Sequence, residues 1–176
     1  MPTRIQRRRT KGWRLPPNAV IVSRPSRFGN PCKVGLMQEM GYEDPHGVAA
    51  ENFRVWLNGN RFDAPTDDAD RRRERILAEL PSLRGRDVAC TCQPDQTCHG
   101  DYLLDRANLP EAEQAAWVAS VRARVDQQRA TWGAPPLADA EAAPPRRPEP
   151  LRSPAESQAR RRTEDVNVND NLKEIL

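Results

Sequence analysis

Acidic residues are missing from Met1 to Gln38, where nine lysines or arginines stand unanswered, although the 176-residue chain carries a net charge of only +3. A block of one sign suits an anionic partner, either a nucleic acid or a phosphorylated small molecule. Its plainer alternative is a solvated basic arm. Long apolar runs are also missing. Nothing approaches the roughly 18 residues of a membrane span, and the opening MPTRIQRRRT lacks the apolar segment of a secretory signal. The expectation is a cytoplasmic protein with no membrane partner, where thiols stay reduced. Cysteine and histidine are scarce, at four and two residues. In that compartment the cysteines read as metal ligands, catalytic groups or packing before disulfides. Neither G-x-x-x-x-G-K-[ST] nor G-x-G-x-x-G occurs, so neither a P-loop nor a standard dinucleotide fold is indicated.

What is present is polar: 37% hydrophobic, 30% charged and 17 prolines. A chain of this kind does not bury a core along its whole length, and a folded part of roughly 110–130 residues is expected. The composition changes near Gly133, with seven prolines between Pro135 and Pro154. The reading is an α/β domain over 1–132 and a disordered Pro/Ala/Arg-rich tail over 133–176, a segment suited to binding a protein partner.

Within the domain, a short strand is expected near Thr3–Gln6 and a buried one at AVIVSR, Ala19–Arg24, after the Pro16-Pro17-Asn18 turn. Asp44-Pro45 starts a helix with Ala49, Phe53, Trp56 and Leu57 on one face. Thr66, with Asp67, Asp68 and Asp70, caps a second, whose Arg71, Arg72, Arg73 and Arg75 read as its solvated side. A strand at Asp87–Cys92 follows, then a helix from Cys98 and another from Pro110. This order predicts a small Rossmann-like layered α/β domain with a short, mostly parallel sheet.

Cysteine and histidine concentrate in VACTCQPDQTCHGDYLL, 88–104, which holds Cys90, Cys92, Cys98 and His99. Cys90 and Cys92 are two apart on a strand, so their side chains share a face. Cys98 and His99 follow a five-residue loop at a helix start. Three readings stand side by side. Three thiolates and one imidazole form an accepted zinc set. A helix N-terminus and nearby cations activate a thiolate such as Cys98, with His99 and Asp101 as acid or base and its orienter. Buried cysteine also packs as a small hydrophobe, the reading given to Cys32.

The loop after the second strand, SRPSRFGNP, has its own chemistry. Gly29 and Asn30 tolerate positive φ and turn backbone N–H groups toward one point. Arg24 and Arg27, around Ser26, add forked contacts to phosphate or carboxylate. A tight turn with solvent-facing arginines is the alternative. Ligands of open α/β folds bind beyond the carboxyl ends of the strands. Parallel strands would put this loop and the cysteine loop at one edge.

The two motifs together, RPSRFGNP and LRGRDVACTCQPDQTCHGDYLLDRAN, resemble the family called domain of unknown function 4326 over about residues 3–108. That family combines an Arg-Pro-Ser-x-x-Gly-Asn-Pro loop with a Cys-x-Cys…Cys-His-x-Asp segment and a Leu-rich helix. Thr91 stands where an aromatic is common in it. The resemblance implies a compact α/β domain and no established activity.

The reading that joins these features is an enzyme acting on a nucleotide, nucleoside or nucleic acid, by transfer or hydrolysis at a sugar or phosphate centre. Arg24, Ser26, Arg27, Gly29 and Asn30 would hold the anionic part. Cys98, His99 and Asp101 would carry the chemistry, with zinc on Cys90, Cys92, Cys98 and His99 as the cofactor. The alternative is a nucleic-acid-binding module with a structural zinc site.

Overall fold

Three short strands pair in parallel around the third. The protein is described here from a computed structural model over residues 1–61 and 64–138. Strands β1 (Arg4–Gln6) and β2 (Ala19–Ile21) flank β3 (Asp87–Cys90), in the order β1-β3-β2. Arg4 stands against Val88 and Gln6 against Cys90 on one side of β3, with Ala19 against Asp87 and Ile21 against Ala89 on the other. Because all three run the same way, the chain leaves each strand at the same sheet edge. That edge receives both motif loops.

Both motif strands are shorter than the sequence suggests. After Ile21, the Val22 N–H still bonds the Ala89 carbonyl at 2.9 Å. The ladder then stops before Pro25, which has no N–H to donate. β3 ends at Cys90, and a turn closed by Gln96 N–H on the Gln93 carbonyl carries the chain to α4.

Helices α1 (Val34–Glu39), α2 (Pro45–Leu57) and α3 (Asp67–Glu79) connect β2 to β3, with a 3₁₀ turn at Leu80–Leu83. Helices α4 (His99–Ala107) and α5 (Glu111–Thr131) follow. The caps follow from side-chain chemistry. The Asp44 carboxylate accepts from Gly47 N–H at 2.8 Å, and Thr66 Oγ1 accepts from Ala69 N–H at 3.2 Å. The short α1 was not expected. It lies among Pro, Gly and Asn residues and is too brief for its apolar period to register.

The core gathers Val22, Phe28, Phe53, Trp56, Leu57, Ile76, Leu80, Leu83, Val88, Leu103 and Val121. One expectation is corrected here: Arg73 is not on a solvated face. It is buried, donating to Asp70 at 2.7 Å and to the carbonyls of Trp56 at 2.7 Å and Asn60 at 2.8 Å. Asp70 also bonds Arg129 at 2.7 Å and Arg61 at 2.8 Å, so one buried carboxylate answers three guanidiniums.

Beyond α5, Arg129 donates to the Pro135 carbonyl at 2.6 Å and Leu137 N–H to Asp126 at 3.1 Å. The first few residues of the expected tail are therefore tied back to α5. The rest of the tail, 139–176, lies outside the described residues. Among the described residues no helix is long and apolar enough to cross a membrane.

Candidate functional site

The loops that follow β2 and β3 share one cleft of about 190 Å³. Its β2 side is lined by Ser23, Arg24, Asn30 and Cys32, and its β3 side by Cys90, Thr91, Cys92, Thr97, Cys98 and His99, with His46 and Ala49 from α2.

The β2 loop is folded on itself. The Arg24–Pro25 peptide is cis, and Ser26 N–H and Gly29 N–H bond the carbonyls of Ser23 and Ser26 at 3.0 and 2.9 Å. Gly29 has no room for a side chain, because a Cβ there would stand 2.9 Å from Arg24 Cγ and 3.0 Å from the Ser26 carbonyl. Asn30 clamps the loop to α2, donating to the Ala49 carbonyl at 2.8 Å and accepting from Cys32 N–H at 2.7 Å. Arg72 reaches in from α3 and donates to the Gly29 carbonyl at 2.6 Å. Burial lowers the pKa of Arg72, and the charges of Arg24 and Arg75 lower it further.

On the β3 side, the sulfurs of Cys90, Cys92 and Cys98 all lie within 4.8 Å of one another, and Cys90 and Cys92 are 3.6 Å apart. None of the four cysteines is in a disulfide. Cys98 caps α4, its sulfur accepting from Gly100 N–H at 3.3 Å. A Cβ on Gly100 would stand 3.5 Å from that sulfur and 3.3 Å from Val88 Cγ2, so the helix start is closely packed. The three thiols lie close enough to hydrogen-bond one another. Hydrogen bonds from Cys92 and Cys98 hold Cys90 far below the ordinary thiol range, as the thiolate. The bond to Cys90 pushes Cys92 up to about 11 and pushes Cys98 up as well.

His99 is buried, edge-on to Phe53 at 5.0 Å between centroids. Its Nε2 lies 3.0 Å from the Val22 carbonyl, and its Nδ1 lies 3.7 Å from Cys98 Sγ. A carbonyl only accepts, so Nε2 carries a proton, and in the neutral ring the Nδ1 lone pair faces the sulfurs.

The three thiols could hold a metal ion such as zinc; His99, expected as a fourth ligand, is not within 4.8 Å of all three sulfurs. Tetrahedral Zn–S bonds of about 2.3 Å place sulfurs about 3.8 Å apart, close to the Cys90–Cys92 separation of 3.6 Å. An imidazole that donates its far N–H to a backbone carbonyl is the usual support of a metal-binding histidine.

The structure brings Arg24, Asn30, Cys90, Cys92, Cys98 and His99 to the cleft. Four other sequence candidates do not line it. Gly29 is one: its N–H is spent on the Ser26 carbonyl at 2.9 Å, and neither Gly29 nor Asn30 has the positive φ expected of the loop. Arg27 pairs with Glu79 on α3. Ser26 Oγ is buried without a partner. Asp101 bonds Arg4 Nε at 2.8 Å. Sequence reasoning missed His46, Thr91 and Thr97, and it read Cys32 as packing. For His46 a signal was available: it directly follows the Asp44-Pro45 helix start and is one of two histidines in the chain.

A family model described as Domain of unknown function (DUF4326) matches residues 5–109, and the chain belongs to that family. No curated protein and no solved structure matches.

Proposed function

We propose that this member of the domain of unknown function 4326 family is an enzyme acting on a nucleotide, nucleoside or nucleic acid, by transfer or hydrolysis at a sugar or phosphate centre. The observation that carries the reading is the shared cleft. It joins Arg24, whose guanidinium makes no ion pair or hydrogen bond among the described residues, to a cluster of three thiols at the carboxyl edge of a parallel sheet. Its volume of about 190 Å³ is smaller than a pocket that encloses a whole drug-sized ligand. It suits one part of a nucleotide, with the remainder lying on the basic surface supplied by the Met1–Gln38 block.

In this reading Cys90, Cys92 and Cys98 hold zinc, with His99 beside them. Bound zinc polarises a substrate oxygen or a water. The protein's own part is to fix the sulfurs through β3, the α4 cap and the Val22 carbonyl, and to hold the anionic group at Arg24.

The test has two measurements on the full chain. Metal analysis should find one zinc per chain, lost in Cys90→Ser and Cys98→Ser. A panel of nucleoside monophosphates and a short single-stranded oligonucleotide should show binding, and turnover should depend on the metal. Bound zinc with no turnover on any of them would end the enzyme reading.

A second reading is a nucleic-acid-binding module whose zinc is structural. The Nε2 bond of His99 to Val22 favours it, because an oriented Nδ1 can complete a closed site of three thiolates and one imidazole. Chelation would then unfold the domain, and oligonucleotide affinity would fall steeply with salt.

A further inference from the structure

Both nitrogens of His99 are engaged, and Asp101 is held by Arg4, so the sequence candidates for polar contact with a substrate are occupied by the protein. The other histidine is not. His46 lines the cleft from the first turn of α2, and it makes no hydrogen bond with a described residue. Its Nδ1 is fully buried with no partner.

That orphan decides where the ring proton lies. A buried N–H with no acceptor costs about 1–3 kcal/mol. A neutral imidazole avoids this by carrying its proton on the other nitrogen. In the neutral ring Nε2 is therefore a donor, and the protein supplies it with no acceptor. The backbone that carries the ring is capped: the Asp44 carboxylate accepts from Gly47 N–H at 2.8 Å. Asn30 ties the same stretch of α2 to the arginine loop through the Ala49 carbonyl.

Arg24 is the second donor of the cleft; it is exposed and makes no ion pair or hydrogen bond among the described residues. It lies close enough to Arg72, another cation, for its charge to lower the Arg72 pKa. Arg27, its neighbour in the motif, is neutralised by Glu79. The cleft thus presents a guanidinium and an imidazole N–H that no acceptor among the described residues takes up.

We propose that Arg24 and the Nε2–H of His46 form an oxyanion site in the cleft, which binds a phosphate group of the substrate. This rests on the reading of the cleft as a nucleotide-directed site and adds the residue that sequence reasoning did not find. Arg24 supplies charge and a forked donor. His46 supplies a directed donor on a rigid element and discriminates the position of one oxygen.

The experiment uses the zinc-loaded full chain, with inorganic phosphate and adenosine 5′-monophosphate as probes in calorimetric titrations. Arg24→Ala and His46→Ala are each expected to weaken binding of both probes about tenfold or more. His46→Gln is expected to stay within about threefold of the unsubstituted protein, because its amide N–H reaches the place of Nε2, whereas His46→Asn reaches only that of Nδ1. Nitrogen NMR of the imidazole gives a readout that needs no substitution. It should show the Nε2–H tautomer for neutral His46, with the Nε2 resonance moving on addition of phosphate. Probe binding that is indifferent to His46→Ala, or a proton on Nδ1, overturns the oxyanion site and leaves the nucleotide reading standing. Failure of the unsubstituted chain to bind either probe overturns both.

Discussion

Arg4 Nε lies 2.8 Å from Asp101 Oδ1, joining the first strand to the first turn of α4. The same guanidinium donates to the carbonyls of Gln93, Pro94 and Gln96 at 3.0–3.1 Å, so it holds the loop between Cys92 and Cys98 by its backbone. Burial works against the charge of Arg4, but the hydrogen bond and charge of Asp101 outweigh it, and the pKa is raised. Asp101, in the Cys-His-x-Asp segment, thus positions the thiol corner through Arg4.

From this relationship, Arg4→Met should destabilise the fold by about 2–4 kcal/mol, because it leaves several carbonyls without donors. It should also weaken zinc retention. Asp101→Asn is expected to cost about 1 kcal/mol or less, since that carboxylate is half exposed and its attraction is screened. Urea unfolding and competition with a chelator check both. Equal effects from the two substitutions would show that the carboxylate, rather than the loop carbonyls, is the anchor.

Asp70 gives a second contrast. It is buried among Arg61, Arg73 and Arg129. Asp70→Asn leaves these cations without their shared counter-charge and should cost about 3–5 kcal/mol. Glu79→Gln breaks the exposed pair with Arg27 and should change stability by less than about 0.5 kcal/mol. Thermal unfolding of the two variants is the measurement.

How much of this was legible in the sequence differs by element. The Asp44-Pro45 and Thr66 helix starts were readable because capping chemistry is local. The shared sheet edge was readable in conditional form, since two βα-type loops meet only if their strands run parallel. The pairing of Asp101 with Arg4 spans 97 positions, and that of Asp70 with Arg129 spans 59. No periodicity reports such pairs. Arg73 looked solvated because three further arginines surround it in sequence, and charge composition does not show which turn of a helix faces a buried carboxylate. His46 stands at a readable helix start, but its place on the cleft depends on how α2 sits beside the arginine loop, which the Asn30–Ala49 bond ties and local sequence does not report.

Gly29 tests the arginine loop. Alanine there places a methyl 2.9 Å from Arg24 Cγ and 3.1 Å from Arg24 Cα, so the loop backbone must move. The expected cost is about 1–3 kcal/mol, with loss of phosphate binding. Gly35 is the control. It lies within α1, and a Cβ there meets nothing within 4 Å. Gly35→Ala should stabilise the protein by about 0.5–1 kcal/mol and leave binding unchanged. Denaturant midpoints and phosphate titrations of the pair decide the point.

The thiol corner makes the metal-free, reduced protein pH-sensitive in two opposing ways. Cys90 is held ionised by bonds from Cys92 and Cys98, below its unfolded value of about 8.5. The unfolded chain then binds more protons at this site, so stability rises with pH from the folded pKa of Cys90 up to that of a free thiol. Cys92 behaves oppositely. The bond to Cys90 pushes it up to about 11, so its contribution is present below the free-thiol range and is lost as pH climbs toward that value. Cys98, also raised, adds to the alkaline loss. The thiol-dependent part of the stability should therefore peak near pH ~8.5 and decline on both sides. Urea unfolding across this range, on the metal-free protein and on Cys92→Ala, measures it. In the variant Cys90 loses a donor, so both slopes should flatten, and an unchanged profile would place the donor elsewhere. Zinc should remove the peak altogether, because bound metal in place of the thiol protons leaves nothing at the corner to titrate until the acid range where it is released.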